Sequence, residues 1–67
     1  MKKISVSLSG HQTSISLEAE FITALHEIAA ARKTSVAKII NEIDAKRSMN
    51  GNLSSAIRVW ILNYFHN

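Results

Sequence analysis

Gln12, Ser14 and Ser16 recur at every second position of the stretch Gln12-Thr13-Ser14-Ile15-Ser16-Leu17, and each carries a side chain that can both donate and accept hydrogen bonds. Side chains alternate across a strand, so these three share one face while Thr13, Ile15 and Leu17 share the other. A row of short neutral hydrogen-bonding groups on an apolar back is chemistry for reading the polar surface of another molecule. It is poor chemistry for making or breaking bonds. The 67-residue chain has no cysteine, no Gly-rich phosphate loop and no carboxylate pair placed in an evident cleft, and its serines fit a solvated strand face better than the role of nucleophile. No catalytic residue is expected, and the chain reads as a non-enzyme. His11, His26 and His66 stand far apart without a short ligand spacing such as i, i+4, so neither a metal nor another cofactor is expected.

The elements that must hold this row follow at once. Phe21, Leu25 and Ile28, with Ile22 and Ala29 beside them, predict a helix over about residues 19–32 that buries one face. Glu18 and Glu20 at its start and Arg32 and Lys33 at its end suit the helix dipole, and His26 falls on the opposite, exposed side. Thr34-Ser35 supplies an N-cap for a second helix, about 35–47, in which Val36, Ile39, Ile40 and Ile43 give the i, i+3, i+4, i+7 stripe and Glu42 and Lys46 an i, i+4 ion pair. Lys46 to Asn52, containing Asn50-Gly51, ends that helix and turns the chain back. A third helix, about 53–65 and capped by Asn52 or Ser54, carries Leu53, Ala56, Ile57, Trp60, Ile61 and Tyr64 on one stripe, which Val59, Leu62 and Phe65 widen to most of the circumference. Such a helix must be buried on more than one side. One short chain has too little other material for that, so Trp60 and its neighbours are expected at a subunit interface. A membrane-surface role is the lesser alternative, Arg58 being the helix's only charge.

Upstream, from about residue 3 to 9, Ile4, Val6 and Leu8 alternate with Lys3, Ser5, Ser7 and Ser9, the signature of a strand. Gly10-His11 as a two-residue type II′ loop would pair Ser9 with Gln12, Leu8 with Thr13, Val6 with Ile15 and Ile4 with Leu17, with every apolar residue on one face. The same pattern fits an arm that orders only on binding, since an isolated hairpin is marginal in water. Chains this short are seldom stable without a staple, and here the staple expected is oligomerisation. The apolar share of 46% agrees with that. A net charge of +3 and a pI near 9.7 favour anionic partners. Met1-Lys2-Lys3 leads into no apolar run, so no signal peptide is read, and no stretch is long enough to span a bilayer. A cytoplasmic protein without a membrane partner is expected.

Strand, helix, short turn, helix is an order that resembles the ribbon-helix-helix family, to which the Arc and Met repressors belong. The resemblance is carried by Thr13-Ser14-Ile15-Ser16-Leu17, by Phe21, Leu25, Ile28 and Ala29, and by Thr34-Ser35 opening the Val36-Ile39-Ile40-Ile43 helix. More closely, Gly10 to Glu18 and Gly51 to Val59 look like the Gly-His-x-Thr-Ser-Ile-x-Leu-Glu start and the Gly-Asn-Leu-Ser-Ser-Ala-hydrophobic-Arg-Val ending of a small bacterial subfamily with an added C-terminal helix. The resemblance implies a mainly α fold with an N-terminal β ribbon, a ribbon-helix-helix plus a third helix in an intertwined homodimer of single domains spanning 1–67. It implies that an antiparallel ribbon enters the major groove of double-stranded DNA, with Gln12, Ser14 and Ser16 at the base edges. Phosphate would meet Lys33, Thr34, Ser35 and Lys38, where Thr34, Ser35 and Val36 would offer backbone N–H groups. Ile15, Leu17, Ile39, Ile43, Ile57, Trp60, Ile61 and Tyr64 would form the dimer interface.

Three features depart from the family pattern. Gln12 stands where many members carry arginine or lysine, and Arg32-Lys33-Thr34 lacks the glycine many have between the helices. If the first strand does pair with the second, a dimer would present four strands, about 14 Å across at a spacing of roughly 4.8 Å, against a groove of about 12 Å. Leu53 to Val59 also resembles a second helix of such a unit, which would move the phosphate site to Ser54 and Ser55, but Val36 to Ile43 already fills that role. The function expected is that of a homodimeric, sequence-specific DNA-binding protein, a transcriptional regulator of repressor type. The alternative is a dimeric protein-interaction module without DNA binding, and a second protein stays open as a further partner.

Overall fold

The computed structural model of the chain describes residues 1–8, 10–46 and 52–66. The elements run β1 (Lys2–Leu8), β2 (His11–Leu17), α1 (Ala19–Ala31), α2 (Val36–Lys46) and α3 (Leu53–His66). β1 and β2 form a two-stranded antiparallel sheet, so the N-terminal segment is a hairpin strand, not a loose arm. The fold is thus an N-terminal ribbon followed by three helices. The Asn50-Gly51 turn expected between the last two helices lies outside the described residues.

The hairpin register differs from the expected one by two residues. Leu8 faces His11, Ser7 faces Gln12, Val6 faces Thr13, Ser5 faces Ser14, Ile4 faces Ile15, Lys3 faces Ser16 and Lys2 faces Leu17. His11 is therefore the first residue of β2 and not part of the loop, and the expected partner of Gln12, Ser9, lies outside the described residues. A shift of two leaves every side chain on its original face, so alternation alone cannot tell the two registers apart. Gly10 sits at φ +87°, where a Cβ would meet no atom within 4 Å but would be conformationally strained.

The inward face of the hairpin, Val6, Leu8, Ile15 and Leu17, is buried in one core with Leu25, Ile28 and Ala29 of α1, Ile39, Ile40 and Ile43 of α2, and Leu53, Ile57 and Ile61 of α3. α2 packs against β1 and α3 against β2. Asn41 fastens the first contact by donating from Nδ2 to the Ser7 carbonyl at 2.8 Å. Glu42, expected to pair with Lys46, instead stands 3.8 Å from Arg32.

The corner between α1 and α2 is built without glycine. The N–H of Lys33 donates to Ala30 O at 3.2 Å and that of Thr34 to Ala29 O at 2.9 Å, the double closure of a Schellman motif. Lys33 occupies its left-handed position at φ 55°, which glycine would adopt without steric penalty. Ser35 then caps α2, its Oγ accepting the Lys38 N–H at 3.1 Å. Asn52 does the same for α3, with Oδ1 accepting the Ser55 N–H at 3.1 Å.

Left-handed backbone costs a non-glycine residue about 1–2 kcal/mol, while the greater unfolded-state freedom of glycine returns part of that. Lys33→Gly is expected to stabilise the fold by about 0.5–1 kcal/mol, raising the melting temperature by several degrees. Lys33→Ala, which removes the charge but not the strain, should give no such rise. Thermal unfolding of the two variants beside the parent chain checks this.

Candidate nucleic-acid interface

Strand pairing fixes which side chains leave the core. Gln12 and Ser14 are exposed and Ser16 half-buried, on the face opposite Ile15 and Leu17. The structure therefore brings the three sequence-derived reading residues into one row. Directly across from them on β1 stand Ser7, Ser5 and Lys3 in that order, all exposed. Residues 8 and 11 flank a two-residue loop and so form a hydrogen-bonded pair, which makes Ser7–Gln12, Ser5–Ser14 and Lys3–Ser16 the closer, non-hydrogen-bonded pairs, with Cα atoms about 4.5 Å apart. The Asn41 bond to the outward carbonyl of Ser7 fits that phase. The β1 contribution was hidden in the sequence because Lys3, Ser5 and Ser7 join the row only once the strands pair.

Lys33, Thr34, Ser35 and Lys38 gather at the α1–α2 corner, where Lys33, Ser35 and Lys38 are exposed and Thr34 is half-buried. One detail expected there is corrected. The Thr34 N–H is consumed by Ala29 O, because the Schellman closure needs it. Among the described residues, the N–H groups of Val36 and Ala37 at the first turn of α2 are left without a protein acceptor, as the first turn of a helix requires. Six residues at 1.5 Å rise separate Ser35 from Asn41, so this corner lies about 9 Å along α2 from its grip on β1.

The residues assigned to a dimer interface divide into two groups. Ile15, Leu17, Ile39, Ile43, Ile57 and Ile61 are buried by the chain's own elements. The expectation that only a partner could cover α3 is revised accordingly, since the hairpin and the other helices already enclose its Leu53-Ile57-Ile61 face. Trp60 is half-buried and Tyr64 exposed, their rings stacked at 5.7 Å. What remains open is an apolar surface the sequence had placed only at the margin of the stripe: Val59, Leu62 and Phe65 are 53%, 57% and 59% exposed. With Phe21 they line an open cleft of about 390 Å³ bordered by Arg58 and His66. A second cleft, of about 460 Å³, lies along β2 and is lined by His11, Thr13, Ser14 and Ser16 together with Asp44, Asn52 and Ser54.

A contact between residues 40 apart holds the ribbon to α3. Arg58 Nε donates to Glu18 Oε1 at 2.9 Å and Nη2 to Oε2 at 3.4 Å, and the guanidinium lies 6.0 Å from the Phe21 ring centre. Glu18 is the N-cap of α1, yet its side chain makes no cap hydrogen bond. It is committed to Arg58, so β2 ends, α1 begins and α3 passes at one charged clasp. No periodicity announces such a pair in a sequence. The hydrogen bond from Arg58 holds the Glu18 carboxyl below the usual glutamate range. Among the described residues no group of three or more His, Asp or Glu could hold a metal ion, and no helix is long and apolar enough to cross a membrane.

A family model described as a ribbon-helix-helix domain matches residues 1–65 and so takes in β1 and α3 as well as the strand and helices between them. No curated protein and no solved structure gives a match.

Because the native pKa of Glu18 is depressed, the stability its pair contributes is fully present above the unfolded-state value of about 4.3 and is lost as pH falls through the lower native value. Glu18→Gln is therefore expected to lower the melting temperature near neutral pH, with the gap from the parent chain closing as the solution is acidified. A gap independent of pH would contradict the clasp. Calorimetric melts across an acidic pH series decide between the two.

Proposed function

The chain belongs to the ribbon-helix-helix family, whose members are generally DNA-binding transcription regulators, and we propose that it is a homodimeric, sequence-specific DNA-binding regulator of repressor type working in the cytoplasm. The observation that carries this reading is the solvent face of the hairpin, where Gln12, Ser14 and Ser16 project together from a strand whose other face is locked into the core. Glutamine matches adenine at N6 and N7, and serine hydroxyls donate to or accept from several base edges in the major groove. Lys33, Ser35 and Lys38, with the free N–H groups of Val36 and Ala37, supply the phosphate contacts that fix register without reading sequence. The half-buried hydroxyl of Thr34 completes that corner.

Dimerisation is supported by the apolar surface of α3, where Val59, Leu62 and Phe65 stand beside Trp60 and Tyr64. A small soluble chain gains by covering such a surface. The same cleft favours a second reading, in which the dimer docks another polypeptide and no DNA.

Affinity for random duplex DNA across a salt series separates the readings. Counterion release gives a slope of log K on log salt of about −0.9 per neutralised phosphate. DNA binding predicts a slope equivalent to several phosphates, whereas flat, negligible binding at low salt would transfer the assignment to a protein partner. On a duplex selected by the parent chain, replacing Gln12, Ser14 and Ser16 together with alanine should weaken binding at least about a hundredfold and leave the sedimentation of the dimer unchanged. Undiminished binding would overturn the site.

A further inference from the structure

Resting on the DNA-binding reading, we propose that β1 is a phosphate-binding strand: in the dimer it flanks the reading ribbon, and its outward Lys3, Ser5 and Ser7 contact the phosphates that border the major groove. The first observation is which edge of the hairpin is open. A two-stranded sheet has two outer edges. In the pairing phase set by Leu8 and His11, the backbone groups that point outward are those of Lys3, Ser5 and Ser7 on β1 and of Gln12, Ser14 and Ser16 on β2. The β1 edge is held from within the chain, where α2 packs against the strand and Asn41 Nδ2 donates to the Ser7 carbonyl at 2.8 Å. Among the described residues no hydrogen bond reaches the outward backbone groups of β2. The edge offered to a second copy is thus that of β2. Joined there, two copies make a ribbon of two β2 strands, one from each chain, with a β1 strand on either side.

Width then gives the two strands different tasks. At a spacing of about 4.8 Å, β2 lies about 2.4 Å from the axis between the copies and β1 about 7.2 Å from it. The walls of a groove about 12 Å wide stand about 6 Å from the same axis. The β2 pair fits between the walls, and each β1 lies over one of them. A sheet of four strands need not enter the groove whole, since only its central pair reaches the bases. The charge pattern agrees. The β2 row of Gln12, Ser14 and Ser16 is neutral, and among the six outward side chains of the hairpin Lys3 alone is a cation. Lys3, Ser5 and Ser7 are all exposed. Over a phosphate an ammonium group acts as a point charge and the serine hydroxyls donate, which fixes position without reading sequence.

The test uses the full chain, random duplex, and a duplex enriched by the parent chain from a randomised library. Lys3 is exposed, so Lys3→Gln should melt with the parent. It removes two phosphate contacts from a dimer, so the slope of log K on log salt should become shallower by about 1.8. Affinity should fall at least about tenfold in about 0.1 M salt, by the same factor on random and enriched duplex. Put through its own enrichment, the variant should select the same sequence as the parent. Lys46→Gln removes an equal charge from the far end of α2 and should leave the slope as it is. An unchanged slope for Lys3→Gln, or a change matched by Lys46→Gln, would overturn the proposal. A base altered in the enriched sequence would overturn it too, by placing Lys3 on a base edge. If the parent itself binds random duplex without salt dependence and enriches nothing, the DNA-binding reading fails and β1 loses its role with it. A salt-dependent parent matched by Lys3→Gln overturns the β1 assignment alone.

Discussion

A two-stranded hairpin is marginal in water because one of its faces is apolar and nothing in the hairpin itself can cover it. Most of this molecule is arranged to cover that face. β1 and β2 bring Val6, Leu8, Ile15 and Leu17 to one side, and each strand receives its own helix, α2 beneath β1 and α3 beneath β2, with α1 closing the core through Leu25, Ile28 and Ala29. Because side chains alternate, every residue held inward forces its neighbour outward. The polar row on the solvent face is thus a geometric consequence of the apolar row behind it, and it is as rigid as the core is.

The connections between elements then determine where that row sits relative to charge. The Schellman closure at Ala29–Thr34 turns the chain sharply enough for Ser35 to cap α2 at once, which concentrates Lys33, Ser35 and Lys38 at one corner. Asn41 sets the distance from that corner to β1, and the Glu18–Arg58 clasp sets the end of β2 against α3. A partly exposed ion pair contributes only modestly to stability. Its value here is positional, since both oxygens of one carboxylate and two nitrogens of one guanidinium must meet, which leaves α3 little freedom to slide along the ribbon.

The existence and type of every element were legible in the sequence because each depends on a local pattern: alternation for the strands, the i, i+3, i+4, i+7 stripe for the helices, serine and asparagine for the caps. The hairpin register was not. Shifts of two preserve the alternation, and a positive φ at Gly10 suits the loop of either register. The α1–α2 corner was legible as a turn, but its geometry was not, because Lys33 takes the left-handed position by virtue of the hydrogen bonds around it. For the candidate site, the β2 row could be read directly. Lys3, Ser5 and Ser7 could not be added to it without the pairing, nor Glu18 matched to Arg58 across 40 positions. The burial of Ile57 and Ile61 was misjudged because a count of apolar residues says how much must be covered and leaves open by what.

The two outward surfaces have opposite chemistry and do not compete for the same space. Val59 lies about 200° around α3 from Ile57, which points into the core, and Leu62 lies about 140° from it. The apolar strip of α3 therefore faces away from the side on which α3 meets the hairpin, while the polar row faces away from the core on the other side of the sheet.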